Sequence, residues 1–309
     1  MYRIYLSIFF LIFSVNCIAK DITIDEVYQQ IFRINEEIEI LKRHFNIDEI
    51  LQVAPIYTNF TSLHTWQKSY EISFKLNILR EKHHLPFLAT ASLEPSLEAR
   101  PQIVFAQARR ILTEIEIIKY QLDITEMSAQ PPTFTGKTLA DNFNLMNHIS
   151  YQIDLLTGSS FTPSYVFSQA MRISEDINII LDELNIQDNT IPPPKQNGAT
   201  PADSFKTALQ LLREIRRLEQ LENIEGIDIH PFEKIEKITP SEVFGIAGIV
   251  LAELQRIKAD LRLFHALTPI ALHYEDKTPS DVQQIFGWCV RGLQLITMLA
   301  ANKTQIREN

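Results

Sequence analysis

Apolar side chains recur along this chain at one spacing. Taking Thr23 as position zero, Val27, Ile31, Ile34, Ile38, Leu41 and Phe45 stand at positions 4, 8, 11, 15, 18 and 22. Counted from Arg100, the same positions hold Val104, Ala108, Ile111, Ile115, Ile118 and Leu122. Counted from Thr162 they hold Val166, Ala170, Ile173, Ile177, Ile180 and Leu184, and from Thr239 they hold Val243, Ala247, Val250, Leu254, Ile257 and Leu261. Alternating steps of four and three place each set on one stripe of an α-helix, so each run predicts an amphipathic helix of about 22 residues. Four further runs, from Thr61, Thr138, Thr200 and Thr278, are less regular. After Thr61 the stripe reads Thr65, Ser69, Ile72, Leu76 and Leu79; after Thr278 it reads Val282, Phe286, Cys289, Leu293 and Ile296.

Each run has a start signal with a physical reason. Thr162-Pro163-Ser164, Thr200-Pro201-Ala202, Thr239-Pro240-Ser241 and Thr278-Pro279-Ser280 put a capping hydroxyl before a proline whose missing N–H costs nothing at the first helical position. Glu26, Asp141, Asp203, Glu242 and Asp281 stand three residues after the cap, where a carboxylate closes a capping box and meets the positive helix end.

The copies are unevenly spaced. The fifth residue after each cap falls at Tyr28, Trp66, Phe105, Phe143, Phe167, Phe205, Phe244 and Gln283, and the step from Phe143 to Phe167 is short. Comparing the first four runs with the last four gives a near-constant offset. Arg33, Glu36 and Ile38 correspond to Arg172, Glu175 and Ile177, while Phe105, Leu112 and Lys119 correspond to Phe244, Leu251 and Lys258. The expected fold is therefore all-α, a tandem duplication of a four-long-helix unit, with helical bundles at 20–158 and 159–309. The alternative is a continuous α-solenoid. Connections of about 15 residues within each unit exceed those usual in bundles. They are long enough to return along a helix or to hold short second helices, so the sequence leaves helix direction open. Ile191-Pro192-Pro193-Pro194 reads as a stiff polyproline spacer rather than a docking site.

The N-terminus reads differently. Arg3, the apolar run Ile4–Val15 and the small-residue site around Cys17-Ile18-Ala19 describe a cleavable secretory signal over residues 1–19, too short to span a bilayer. Acylation at Cys17 is disfavoured, because Ser14, Val15 and Asn16 depart from a lipobox. Cleavage near Ala19 leaves Cys289 alone, so stability is expected from packing without a disulfide, in the periplasm or the medium. A net charge of −9 offers no footprint for nucleic acid, and no later run is long and apolar enough for a membrane span.

Candidate chemistry is sparse. The eight histidines include no i, i+4 pair with a flanking glutamate, so neither a metal nor a cofactor is expected. Cys289 occupies a stripe position and reads as a buried hydrophobe. Arg33–Glu37, Arg110–Glu114 and Arg172–Asp176 read as exposed i, i+4 pairs, and Glu36-Glu37 and Glu175-Asp176 as solvated faces. The expected function is that of an exported, noncatalytic helical repeat protein that binds an exported protein or a small ligand. The alternatives are a sensor-like small-molecule module and a periplasmic hydrolase using paired carboxylates. The candidate groove comprises His148, Trp288, Trp66, Arg33, Arg110 and Arg172, drawn from places where the two units differ and from the repeated arginine position.

Overall fold

A computed structural model describes residues 21–49, 56–87, 100–158 and 161–308, with side chains to residue 302. Residues 1–19, read above as an expected secretory signal, the apolar run Ile50-Leu51-Gln52-Val53, most of the 85–99 connection and the Ser159-Ser160 join lie outside the described residues. Among those described, all regular structure is helical. The long helices are α1 (Ile24–His44), α2 (Ser62–Lys82), α3 (Pro101–Gln121), α4 (Leu139–Thr157), α5 (Pro163–Glu183), α6 (Pro201–Leu221), α8 (Pro240–Asp260) and α9 (Pro279–Glu308). A single short turn, α7 (His230–Glu233), interrupts the connection between α6 and α8.

The starts follow the sequence signal. Thr23, Thr138, Thr200 and Thr239 accept backbone N–H bonds on their side chains, and Glu26, Asp141, Asp203 and Glu242 reach back to close the box. The ends share a device of their own. Asn46, His84, Asp123, Asn185, Asn223 and Arg262 all take a left-handed conformation, with φ between 54° and 60°. The next residue then bonds back to the helix: Ile47 N–H to Lys42 O, Leu85 to Arg80, Ile124 to Lys119, Ile186 to Leu181, Ile224 to Glu219 and Leu263 to Lys258, all at 2.8–2.9 Å. This is the Schellman closure, which satisfies orphan carbonyls and turns an apolar side chain back toward the core.

Helix direction is settled by what meets at each end. Pro163, Pro201, Pro240 and Pro279, the first residues of α5, α6, α8 and α9, ring one dimple above Val166, Val243 and Val282. Leu184, Leu218, Leu261 and Ile296 gather at the opposite end. The four helices therefore run parallel. In the first set, Asn142 donates to Ile24 O and Gln102 to Asp21 at the starting end, while Phe45 stacks on His83 at the finish, 4.6 Å between centroids. Parallel order obliges each connection to travel back the length of a helix, which accounts for its length.

The packing order is the same in both sets. Helices α1 and α2 each pack on α3 and α4, and α5 and α6 each pack on α8 and α9. The ring order is thus α1, α3, α2, α4 in the first set and α5, α8, α6, α9 in the second, a closed ring in which α1 faces α2 and α5 faces α6, rather than the row a solenoid requires. One core holds Ile31, Ile34, Ile72, Ala108, Ile111 and Ile149; the other holds Ile173, Ile177, Leu212, Val250, Phe286 and Cys289. The two sets meet through α2 and α8. Trp66, Leu76, Lys75, Arg80 and Asn77 are all buried on α2, which has neighbours on every side and so no solvent face to alternate with. That explains its irregular stripe.

The polyproline segment is not a free spacer. Ile191 O accepts from Arg291 and Pro193 O from Gln284, and a Cβ added at Gly287 would lie 2.9 Å from Pro193. The segment docks along α9, and Gly287 allows the close approach.

Candidate functional site

Three buried polar clusters organise the interior. The first is duplicated. In the second set, Lys258 donates to Asp176 at 2.8 Å and to Thr268 at 3.0 Å, while Thr268 donates to Asp176 at 2.9 Å. Its counterpart in the first set joins Lys119, Glu37 and Ser128, with the Ser128 hydroxyl 2.7 Å and its N–H 3.1 Å from Glu37. Thr268 and Ser128 belong to returning connections, so each cluster fastens a connection to a helix pair. Burial raises the Asp176 carboxyl above the ordinary carboxylate range against the pull of Lys258. Burial also acts on Glu37, but the bonds from Lys119 and Ser128 outweigh it and lower that carboxyl.

These clusters correct the reading of exposed i, i+4 pairs. Glu37 and Asp176 are buried, because position 14 of α1 and α5 faces α3 and α8 in the parallel packing. Arg33 instead reaches Glu116 at 3.1 Å, and Glu114 pairs with Arg80 at 3.1 Å. Arg172 is itself buried, donating to Gln169 at 2.8 Å and to Pro269 O at 2.9 Å. Glu36 and Glu175 remain partly exposed, but neither adjacent pair is a solvated face throughout.

The second cluster spans the contact between the sets. Thr61 N–H donates to His64 Nδ1 at 3.0 Å, which leaves the His64 proton on Nε2, 2.7 Å from Glu253 Oε1. Burial, followed by the charge of Arg256, lowers the His64 pKa to about 3, so the ring is neutral. Arg256 grips both Glu253 oxygens at 2.9 Å. Burial and a hydrogen bond shared with Glu253 push Glu219 up to about 9, so Glu219 keeps its proton at neutral pH. The Thr61 hydroxyl, also 3.0 Å from His64 Nδ1, gives this group the outline of a nucleophile–base–acid array. His64 is 0% exposed, however, and serves as the third residue of the Thr61 capping box.

The third cluster lies where α2, α4 and α8 meet. Lys68 donates to Glu71 at 2.6 Å, and Lys75 contacts Glu71 at 3.1 Å and Asp154 at 2.6 Å. Ser150 donates to Glu71, and Ser241 reaches Asp154 at 3.0 Å. Burial alone would raise the Glu71 carboxyl, but the Lys68 and Lys75 ammoniums hold it at about 2. Beside these groups is a cavity of about 30 Å³ walled by Tyr57, Phe143, Phe205 and Phe232.

The six candidate groove residues do not form one surface. Trp66 is buried and stacked on Tyr70, 5.7 Å between centroids, and the Arg172 guanidinium lies 5.2 Å from the same ring. These two are brought together, inside the contact between the sets. Arg33 and Arg110 are partly exposed on α1 and α3. His148 is half-buried on α4, where burial, aided by the charge of Lys42 and opposed by that of Glu39, lowers its pKa. Trp288 donates from its indole N–H to Thr190 at 2.9 Å, so the chain's own connection occupies the groove beside it. Cys289 is buried as its stripe position requires, and burial pushes its thiol up to about 12.

Sequence reasoning missed Lys68, Lys75, Asp154 and His64 as a polar interior. The available signal was the broken stripe of α2, where Thr65 and Ser69 take core positions. No family model, curated protein or solved structure matches this chain.

Proposed function

We propose that this is an exported, noncatalytic helical protein that binds a protein partner through its last returning connection. One observation carries the reading. Phe264, Leu267, Ile270 and Leu272 are 53%, 49%, 49% and 60% exposed within nine residues of chain. Leu263, Ala266 and Thr268 anchor the same segment inward, so the apolar groups are presented on a fastened backbone. Clustered exposed apolar side chains of this size mark contact surfaces. Acidic groups lie alongside: Glu183 bonds His265 at 2.7 Å, and Glu275 stands 3.5 Å from His273. With a chain charge of −9, an anionic lipid surface is repelled, and the fitting partner is a protein with an apolar patch and a basic rim. The noncatalytic part of the reading rests on the buried carboxylates, which are engaged in fastening helices and connections.

The test is a Phe264→Ser/Leu267→Ser/Leu272→Ser variant made in the native host and compared with the unaltered protein. Retained helicity and melting temperature, with loss of a stoichiometric co-purifying protein, is the expected result. An equal yield of partner from both proteins, or no partner from either, overturns the reading. Intact mass checks export separately: the chain is expected to begin at Lys20. A retained Met1, or a diacylglycerol adduct on Cys17, overturns that part.

A further inference from the structure

The cavity at the junction of α2, α4 and α8 has a donor–acceptor imbalance. Both oxygens of Glu71 and of Asp154 are engaged, Glu71 by Lys68, Lys75 and Ser150 and Asp154 by Lys75 and Ser241, while Glu242 at the rim takes the N–H and hydroxyl of Thr239 on its Oε2. Donors are left over. Asn147 lines the cavity, is 4% exposed, and its Nδ2 has no partner among the described residues. Among the same residues the Lys68 ammonium makes a single hydrogen bond, to Glu71, and has further protons to give. A buried donor without an acceptor carries its full desolvation penalty, so the site calls for an acceptor atom.

Charge and volume narrow the occupant. Lys68 and Lys75 balance Glu71 and Asp154, and Glu242 at the rim tips the lining negative, which disfavours an anion. A cation inside the cavity finds the oxygens of Glu71 and Asp154 already taken. One water needs about 10–15 Å³ of such space. A void of about 30 Å³ therefore admits a group of two or three heavy atoms. Rings of Phe143, Phe205 and Phe232 wall the space, and Ile235 and Tyr151 at its edge are partly exposed. We propose that the cavity binds the carbonyl or hydroxyl end of an uncharged small molecule. Its oxygen accepts from Asn147 Nδ2 and Lys68 Nζ, and its apolar remainder runs past the phenylalanine rings to the partly exposed edge at Ile235 and Tyr151. This site is independent of the 262–272 surface, and its test leaves that reading untouched.

The experiment titrates the mature chain with propionamide and 1-butanol, and with propionate and propylamine as charged counterparts. Calorimetry and aromatic proton shifts read binding, and soaked crystals read position. Saturable binding of the neutral probes is expected, at least tenfold tighter than that of the charged ones. Gly245→Ala supplies a plug, because its Cβ would lie 3.3 Å from Lys68 Nζ and 3.5 Å from Glu71 Oε2 while the helix gains propensity. That variant is expected to keep its melting temperature and lose binding. Asn147→Leu removes the donor at similar volume and is expected to weaken binding about tenfold. Four results each overturn the proposal: no saturable binding by the neutral probes, equal binding of propionate, unchanged affinity in Gly245→Ala, or density for water alone in the soaked crystals.

Discussion

Lys258 and Lys119 show how much of this interior is held by single ionised groups. Each ammonium is almost fully buried, and each neutralises a carboxylate from a neighbouring helix. Removing one partner strands the other, which typically costs about 3–5 kcal/mol. Lys258→Met is therefore expected to lower the urea-unfolding free energy by about that amount, and Lys119→Met by a similar amount. Adding Asp176→Leu to Lys258→Met is expected to restore most of the loss, because the uncompensated charge is gone; a double variant as weak as the single one would refute this account. Two carboxyl groups set opposite pH limits. Glu71 is held at about 2 against an ordinary value of 4.5, so its stabilisation is complete above pH 4.5 and is lost as pH falls through 2. Glu219 is raised to about 9, so its stabilisation is complete below pH 4.5 and declines as pH rises through 9. Urea midpoints are expected to drop at both extremes. Glu219→Gln, which mimics the protonated acid, should flatten the alkaline limb alone. None of these pairings was legible in the sequence. Position 14 of α1 and α5 reads as solvent-facing until the direction of α3 and α8 is known.

At the scale of the element, starts were legible and ends were not. Thr-Pro with an acid two residues later names its own geometry, whereas the six left-handed closures fall on Asn, Asp, His and Arg, only some of which favour φ above zero. A second left-handed residue stands two before the cap at Asn59, Gly136, Gly198 and Asp276, so several connections are bracketed by two such bends. Just past the second bend, at the cap, the aromatic slot receives the returning chain. Lys137 lies 4.3 Å from the Tyr28 ring and its N–H bonds Asp25, while Lys277 lies 4.9 Å from the Phe167 ring and its N–H bonds Ser164. The fifth-position aromatic was visible as a repeat, but its purpose depended on parallel helices. Arg262 is the costliest of the closures, because a long side chain has no local hydrogen bond to ease the left-handed form. Arg262→Gly relieves about 1–2 kcal/mol of that strain. Against this, glycine adds about 0.5–1 kcal/mol of unfolded-state entropy. A net gain of about 0.5 kcal/mol is expected in chemical denaturation; a loss would show that the Arg262 side chain makes a compensating contact.

The whole molecule is two parallel bundles joined by unlike faces, and that asymmetry limits its growth. On α2 the joining face carries His64, Gln67, Glu71 and Phe74, and on α8 it carries Phe244, Gly245, Gly248 and Glu253. The duplicate of the α2 face lies on α6, where Lys206, Gln210 and Arg213 are exposed; the duplicate of the α8 face lies on α3, where Ala106 and Arg109 are exposed. By the pairing of Gln67 with Gly248, bringing a free α6 face to a free α3 face would place Lys206 against Arg109. A head-to-tail contact of this kind otherwise generates open chains, and the like charges oppose it. Inside the contact the packing is close: Phe74 and Phe244 lie 5.8 Å apart, and a Cβ on Gly248 would sit 3.5 Å from that of Gln67. Since Phe60, Phe143 and Tyr57 of the first set belong to the same apolar cluster as Phe244 and Ile249 of the second, opening either bundle exposes the other. The native chain is therefore expected to melt in one calorimetric transition. Gly248→Leu wedges the contact without touching either ring of four helices, and it is expected to split that transition in two, with the total enthalpy reduced by the lost contact. Two transitions in the native protein, or one undisturbed transition in Gly248→Leu, would mean that α2 and α8 do not couple the bundles.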